Sequence, residues 1–143
     1  MFFGGIGLDE IDFQILEVLK ENSRKSWKEV GESIHMTGQA VGNRIRRMEE
    51  VGIIEQYTIA VNELKLGKSI QAFIMVFLKS NQHIEFQKYV NENPDIKEAH
   101  RISGEGCYMI KASISDQLSL NNTLDEILKY ANYRVNISIG KIK

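Results

Sequence analysis

Residues Ser26 to Gly52, SWKEVGESIHMTGQAVGNRIRRMEEVG, read as two short helices joined by a tight turn, the second basic and free of acid until Glu49. That is the layout of a helix-turn-helix, and it makes double-stranded DNA the leading partner. Ser26 followed by Glu29 is a capping box, in which each side chain satisfies the other's free backbone donor. Trp27, Val30 and Ile34 then recur at helical spacing, so one face is apolar while Lys28, Glu29 and Glu32 stay in water. Thr37 caps the second helix, and Gly52 suits the left-handed position that ends it. Val41, Ile45 and Met48 share one side and face the core, which places Gln39, Asn43 and Arg46 opposite, with Arg44 and Arg47 flanking.

The outer face has the chemistry of a DNA surface. Gln and Asn pair bidentately with adenine edges, and Arg pairs with guanine or with phosphate. On this reading Gln39, Asn43 and Arg46 meet base edges, while Lys28, Thr37, Arg44 and Arg47 meet phosphates, with Gly38 and Ala40 at the helix start that enters the groove. For Arg44 a second reading stands level with the first: it anchors a carboxylate within the head. Gly38 and Gly42 each cost about 1 kcal/mol inside a helix, so close approach of backbone, or of DNA, must compensate.

The remaining sequence bounds the class. With 143 residues and 43% hydrophobic content, the chain can build one domain or two small ones. No apolar run is long enough to cross a bilayer, and the opening MFFGGIG reads as a loose tail without an export signal, so a cytoplasmic, nucleoid-associated protein is expected. A lone cysteine, Cys107, allows no internal disulfide and fits a reducing compartment. The formal net charge of −1 argues against DNA only on average. Ser33 to Met48 holds three arginines and no acid, and charges beyond about 8 Å are largely screened from a bound phosphate.

Before the motif, Asp9 opens a helix whose buried stripe is Ile11, Ile15, Leu16 and Leu19, with Asp9 and Asp12 at the positive end of its dipole. After it, Tyr57, Ile59 and Val61 alternate with polar or small residues, as in a wing strand. The boundaries expected are a DNA-binding domain over 8–61, a linker over 62–68 and a second domain over 69–143. The second domain runs strand (70–78), helix (81–93), hairpin (96–103 and 107–114), helix (116–130) and strand (133–142), the βαββαβ order of a ferredoxin-like fold. The fold class is thus α+β, a three-helix winged head followed by a ferredoxin-like domain. In IQAFIMVFL both strand faces are apolar, with Phe73, Met75 and Phe77 on one and Ile70, Ala72, Ile74, Val76 and Leu78 on the other. Helices cover one face; a second subunit is expected on the other.

Three segments in this order, LDEIDFQIL at the start, RIRRMEEVGII at the end of the second motif helix and the turn SGEGCYM, make the chain similar to the Lrp/AsnC family of transcription regulators. The resemblance covers nearly the whole chain from Leu8. It implies dimers that assemble further, into tetramers or octamers, and an amino-acid effector bound in a cleft between dimers. Carried over to this chain, the effector turn is Ser103, Gly104, Glu105, Gly106, Cys107 and Tyr108. Cys107 stands where members commonly carry an acidic residue, which removes a carboxylate that could face an effector's ammonium group. His35 stands where a small residue, often glycine, shapes the turn between the motif helices.

Other constellations read as structural. His35, His83 and His100 lack ligand spacing, so no metal and no cofactor is expected. Cys107 reads as a small buried thiol, GEG as a hairpin turn, and Tyr108 and Met109 equally as core. Three functions stay open: a sequence-preferring regulator, an architectural nucleoid protein that wraps DNA, and a small metabolic enzyme. The last is weakest, since no nucleophile with a base can be placed.

Overall fold

The computed structural model describes residues 7–143, so the tail reading of residues 1–6 lies outside the described residues. The chain divides into two compact units at the bond between Ala60 and Val61.

The first unit holds α1 (Glu10–Glu21), α2 (Trp27–Ile34) and α3 (Gly38–Glu50). Each start is chemically specified. Asp9 and Asp12 form one capping box over α1, Ser26 and Glu29 form another over α2, and Thr37 Oγ1 accepts the Ala40 amide at 3.2 Å over α3. Ile15, Val30, Val41, Ile45 and Met48 are buried together, with Ile11, Leu16, Leu19, Ile34 and Met36 packed around them. This is the register that the spacing predicts.

His35 ends α2 in the left-handed conformation, φ 61° and ψ 42°. Gly31 makes the sharp turn possible, since a Cβ there would lie 2.3 Å from the Met36 carbonyl oxygen. The expected wing strand does not form. Residues 55–62 carry no regular structure, and Tyr57, Ile59 and Val61 are exposed. Alternation describes a strand that has both a ladder partner and a surface to cover; this segment has neither among the described residues.

In the second unit β1 (Ile70–Leu78), β2 (Ile96–Arg101), β3 (Tyr108–Ile114) and β4 (Ala131–Ile137) form one antiparallel sheet of order β2-β3-β1-β4. The helices are α4 (His83–Glu92) and α5 (Gln117–Leu128). Ala72, Ile74 and Val76 of β1 and Ile110 and Ala112 of β3 are buried with Phe86 of α4 and Leu120, Leu124 and Ile127 of α5. Phe73, Met75 and Phe77 lie on the opposite face, where Met75 pairs with Met109 across the strands, and Phe73 is 40% exposed. The two-faced β1 is therefore as expected.

Several bounds differ. β4 stops at Ile137, leaving Ile139 and Ile142 fully exposed, and Leu128 is exposed at the end of α5. The stretch read as linker folds onto the second unit. Residues Glu63–Leu66 form a 3-10 turn, Ser113 Oγ donates to Glu63 at 3.1 Å, and Lys68 pairs with Asp95 at 2.6 Å. No helix of the described residues is long and apolar enough to cross a membrane.

Candidate nucleic-acid interface

α3 sets the site. Its inner residues Val41, Ile45 and Met48 are buried, so Gln39, Asn43 and Arg46 project together from the exposed side, beside the exposed Thr37 at the N-cap. Thr37 O accepts the first intrahelical bond, from the Val41 amide at 3.1 Å. The amides of Gly38 and Gln39 precede that bond and lie at the positive end of the helix dipole, a place suited to a phosphate.

Gly38, Gly42 and Arg46 fall at every fourth residue and form one ridge, along which the start of α2 lies. A Cβ on Gly38 would stand 3.1 Å from the Lys28 backbone nitrogen, and one on Gly42 would stand 2.4 Å from Trp27 Cε3. Packing between the two helices thus accounts for both helical glycines, through backbone at Gly38, as one of the two expectations had it, and through the Trp27 side chain at Gly42, which neither named. The missing side chain of Gly38 faces α2, so only its backbone amide is available to a ligand. The Arg46 guanidinium lies over the Trp27 ring, 4.7 Å from its centroid, and its Nη1 is 3.4 Å from Asn43 Oδ1.

The other arginines are held differently. Arg44 Nη1 donates to both carboxylate oxygens of Asp9 at 2.8 Å and to Asp12 Oδ1 at 2.9 Å. Asp12 is 1% exposed, and its second oxygen accepts the Asp9 amide at 3.0 Å. The hydrogen bond from Arg44, and then that from the Asp12 amide, hold the Asp9 carboxyl below its ordinary value; the two carboxylates raise Arg44 in turn. The geometry therefore favours the anchoring role for Arg44 over the phosphate role, because its Nη1 is already held between two acids. Arg47 Nη2 donates to the Gly7 carbonyl at 2.6 Å. Lys28 is exposed and 3.9 Å from Glu32, too long for more than a weak ion pair.

The turn of the second unit is open along most of its length. Ser103, Gly104 and Glu105 are exposed, and Gly104 (φ 93°) and Gly106 (φ 82°) take conformations that favour glycine. Gly106 presses on β1, where a Cβ would come within 2.9 Å of Met75 Cγ, and the Cys107 amide donates to the Val76 carbonyl at 2.7 Å. Glu105 lies 3.3 Å from Arg134, whose guanidinium sits over Phe77. Tyr108 leaves the set of effector residues. It is 4% exposed on the helix-covered face, where its hydroxyl meets His83 Nδ1 and Gln87 Nε2, each at 2.8 Å. Cys107 is half-buried rather than buried.

With this geometry, residues 8–49 match the family model described as AsnC-type helix-turn-helix domain, and residues 71–143 match the Lrp/AsnC ligand binding domain. The chain belongs to the Lrp/AsnC family. It is 49% identical to the HTH-type transcriptional regulator LrpB of Bacillus subtilis, over 95% of this chain and 91% of that one. It is 35% identical to LrpA of the same organism, over 94% and 99%. Among solved structures, B. subtilis LrpC superposes with a TM-score of 0.93 at 31% identity, covering 96% of this chain and 98% of that one. The L-Met complex of the Neisseria meningitidis regulator NMB0573 gives 0.89 at 26%, covering 96% and 93%. The chain is thus a DNA-binding transcriptional regulator of the Lrp/AsnC type and not an enzyme.

Sequence reasoning overlooked two groups in this site. Asp12 looked like a dipole-complementing surface acid and is a buried acceptor of Arg44. Trp27 looked like core and is 40% exposed beneath Arg46. The fourfold spacing of Gly38, Gly42 and Arg46 was the signal that one ridge of α3 packs against a neighbour.

Proposed function

We propose that this Lrp/AsnC regulator recognises a preferred duplex sequence through Gln39, Asn43 and Arg46, with Thr37, Arg47, Lys28 and the Gly38 amide against phosphates and Ala40 at the helix start that enters the groove. The observation that supports this most is the exposed row of two amides and one guanidinium directly opposite the buried Val41, Ile45 and Met48. The experiment is a mobility shift of the full chain on a duplex selected from a random pool and on random duplex, each at two salt concentrations. Binding only to the selected duplex at the higher salt is expected. Equal affinity for both at each salt would favour the architectural reading, and no shift at low salt would remove both.

The assembly belongs to the same proposal. The bare sheet face, with Phe73, Met75, Phe77 and Met109, covers itself by pairing with a second copy, so that two heads address successive half-sites. Larger assembly, to tetramers or octamers, follows the pattern of the family. Met75→Glu should shift the sizing profile to the monomer; an unchanged profile rules out this face. The effector is an amino acid held at Ser103–Cys107, by analogy with the methionine bound to the Neisseria regulator. A thermal-shift screen of the common amino acids checks this, and no shift with any of them rejects it. The place of action is the cytoplasm, with the chromosome.

A further inference from the structure

We infer that Trp27 is a positioning residue for DNA recognition: its indole face holds the Arg46 guanidinium in place before DNA arrives. The inference rests on the reading of Arg46 as a base-facing residue and adds a member from another helix to that site. Three observations carry it. The ring lies on Gly42, where any side chain would collide with it, so its orientation is fixed by the helix beneath. The guanidinium lies over the ring at 4.7 Å from its centroid, and Nη1 is 3.4 Å from the Asn43 amide oxygen. Trp27 also remains 40% exposed and Arg46 is exposed, so the ring and the guanidinium over it are both open to solvent.

The consequence is a reading residue with little freedom left to lose. An exposed arginine samples many rotamers, and fixing one on binding opposes affinity; a guanidinium already resting on an aromatic face loses less. A planar fork stacked on one side and met by Asn43 at Nη1 keeps its Nε and Nη2 donors for the two acceptors of a guanine. The effect should fall on discrimination between sequences rather than on general attraction to phosphate, because stacking leaves the charge unchanged.

The test uses the full chain and the selected and random duplexes described above. Trp27→Phe keeps an aromatic face; Trp27→Leu keeps apolar bulk without one. Trp27→Leu should lower the preference for selected over random duplex by about fivefold, and Trp27→Phe by less than about twofold. In an Arg46→Ala background, Trp27→Leu should cause no further loss. A fall equal on both duplexes, or one that persists undiminished without Arg46, overturns the positioning role. Arg46→Ala retaining full preference overturns the underlying reading of Arg46, whereas loss of preference in Arg46→Ala with none in Trp27→Leu overturns only the part assigned to Trp27. A further measurement leaves Trp27 intact. Trp27 is the chain's one tryptophan, so its emission should shift when Arg46→Ala removes the cation from its face; an identical spectrum refutes the stacking.

Discussion

Arg44→Ala separates an internal anchor from a DNA contact more sharply than any other substitution in the head. The side chain bonds two carboxylates at 2.8–2.9 Å, and one of them, Asp12, is 1% exposed. Deleting one partner of a fully buried ion pair costs about 3–5 kcal/mol, because the other charge is left without compensation. Here Arg44 retains a quarter of its side-chain exposure, and Asp12 keeps the Asp9 amide at 3.0 Å and the helix dipole. We therefore expect about 2–3 kcal/mol, somewhat below the range for complete burial. For a unit of about 60 residues this is a fall of roughly 10–20 °C in midpoint. Trp27, the one tryptophan, lies in this unit, so its fluorescence in a urea or thermal scan follows the head selectively.

The acid limb gives an independent reading of the same contact. Asp9 is held below its ordinary value of 3.8 first by its hydrogen bond from Arg44. A carboxyl lowered in the fold contributes stability above its unfolded value and loses it as pH falls through the lower folded value. In the wild-type head this contribution should be full above pH 3.8 and be lost as pH falls below it through the lower folded value, and Arg44→Ala should begin acid unfolding at higher pH. A variant that loses less than about 1 kcal/mol, keeps the wild-type acid limb and binds DNA weakly would refute the anchor and restore the phosphate role.

Three further substitutions probe neighbouring points. His35→Gly relieves a left-handed non-glycine residue at φ 61° and should stabilise the head by about 0.5–1 kcal/mol in urea unfolding, the chain entropy of glycine offsetting part of the gain; destabilisation refutes the strain. Gly42→Ala should destabilise by about 1–2 kcal/mol despite the better helix propensity of alanine, because its Cβ would meet Trp27 at 2.4 Å; a gain in stability would mean that the ring moves freely. Tyr108→Phe removes a hydroxyl with two partners and should cost the second unit about 1 kcal/mol by circular dichroism, and a neutral result would mean that His83 and Gln87 find other partners.

What the sequence discloses here is mostly what lies within one helical turn. The pairs Ser26/Glu29 and Thr37/Ala40, and the register of Val41, Ile45 and Met48, are settled by residues three to seven apart, so the head's helices and the outward row on α3 could be read directly. What escaped depends on distant partners. Arg44 meets acids 32 and 35 residues away, and no local pattern distinguishes that from an arginine facing phosphate. The face on which Tyr108 lies follows from its pairing with Val76, a register set by the whole sheet. Tyr57, Ile59 and Val61 alternate as a strand would, but a strand needs a neighbour, and among the described residues no strand pairs with this segment.

The distribution of the three arginines bears on how such a head binds DNA. Arg44 is committed to Asp9 and Asp12, Arg47 reaches the Gly7 carbonyl, and Arg46 rests on Trp27. Arg44 is offset by carboxylates, so the basic stripe seen in the sequence is a field for phosphates weaker by that charge than its count suggests, and the first 60 residues carry 10 acids against 7 bases. Neutralising two or three phosphates gives a salt slope of only about −2 to −3, well short of the six to ten contacts typical of tight operator binding. A second head joined to the first acts at an effective concentration near the millimolar range, which multiplies a weak contact without any new one. On the proposed pairing of two copies through the face of Phe73, Met75 and Phe77, a second head would make up for this sparse charge on α3.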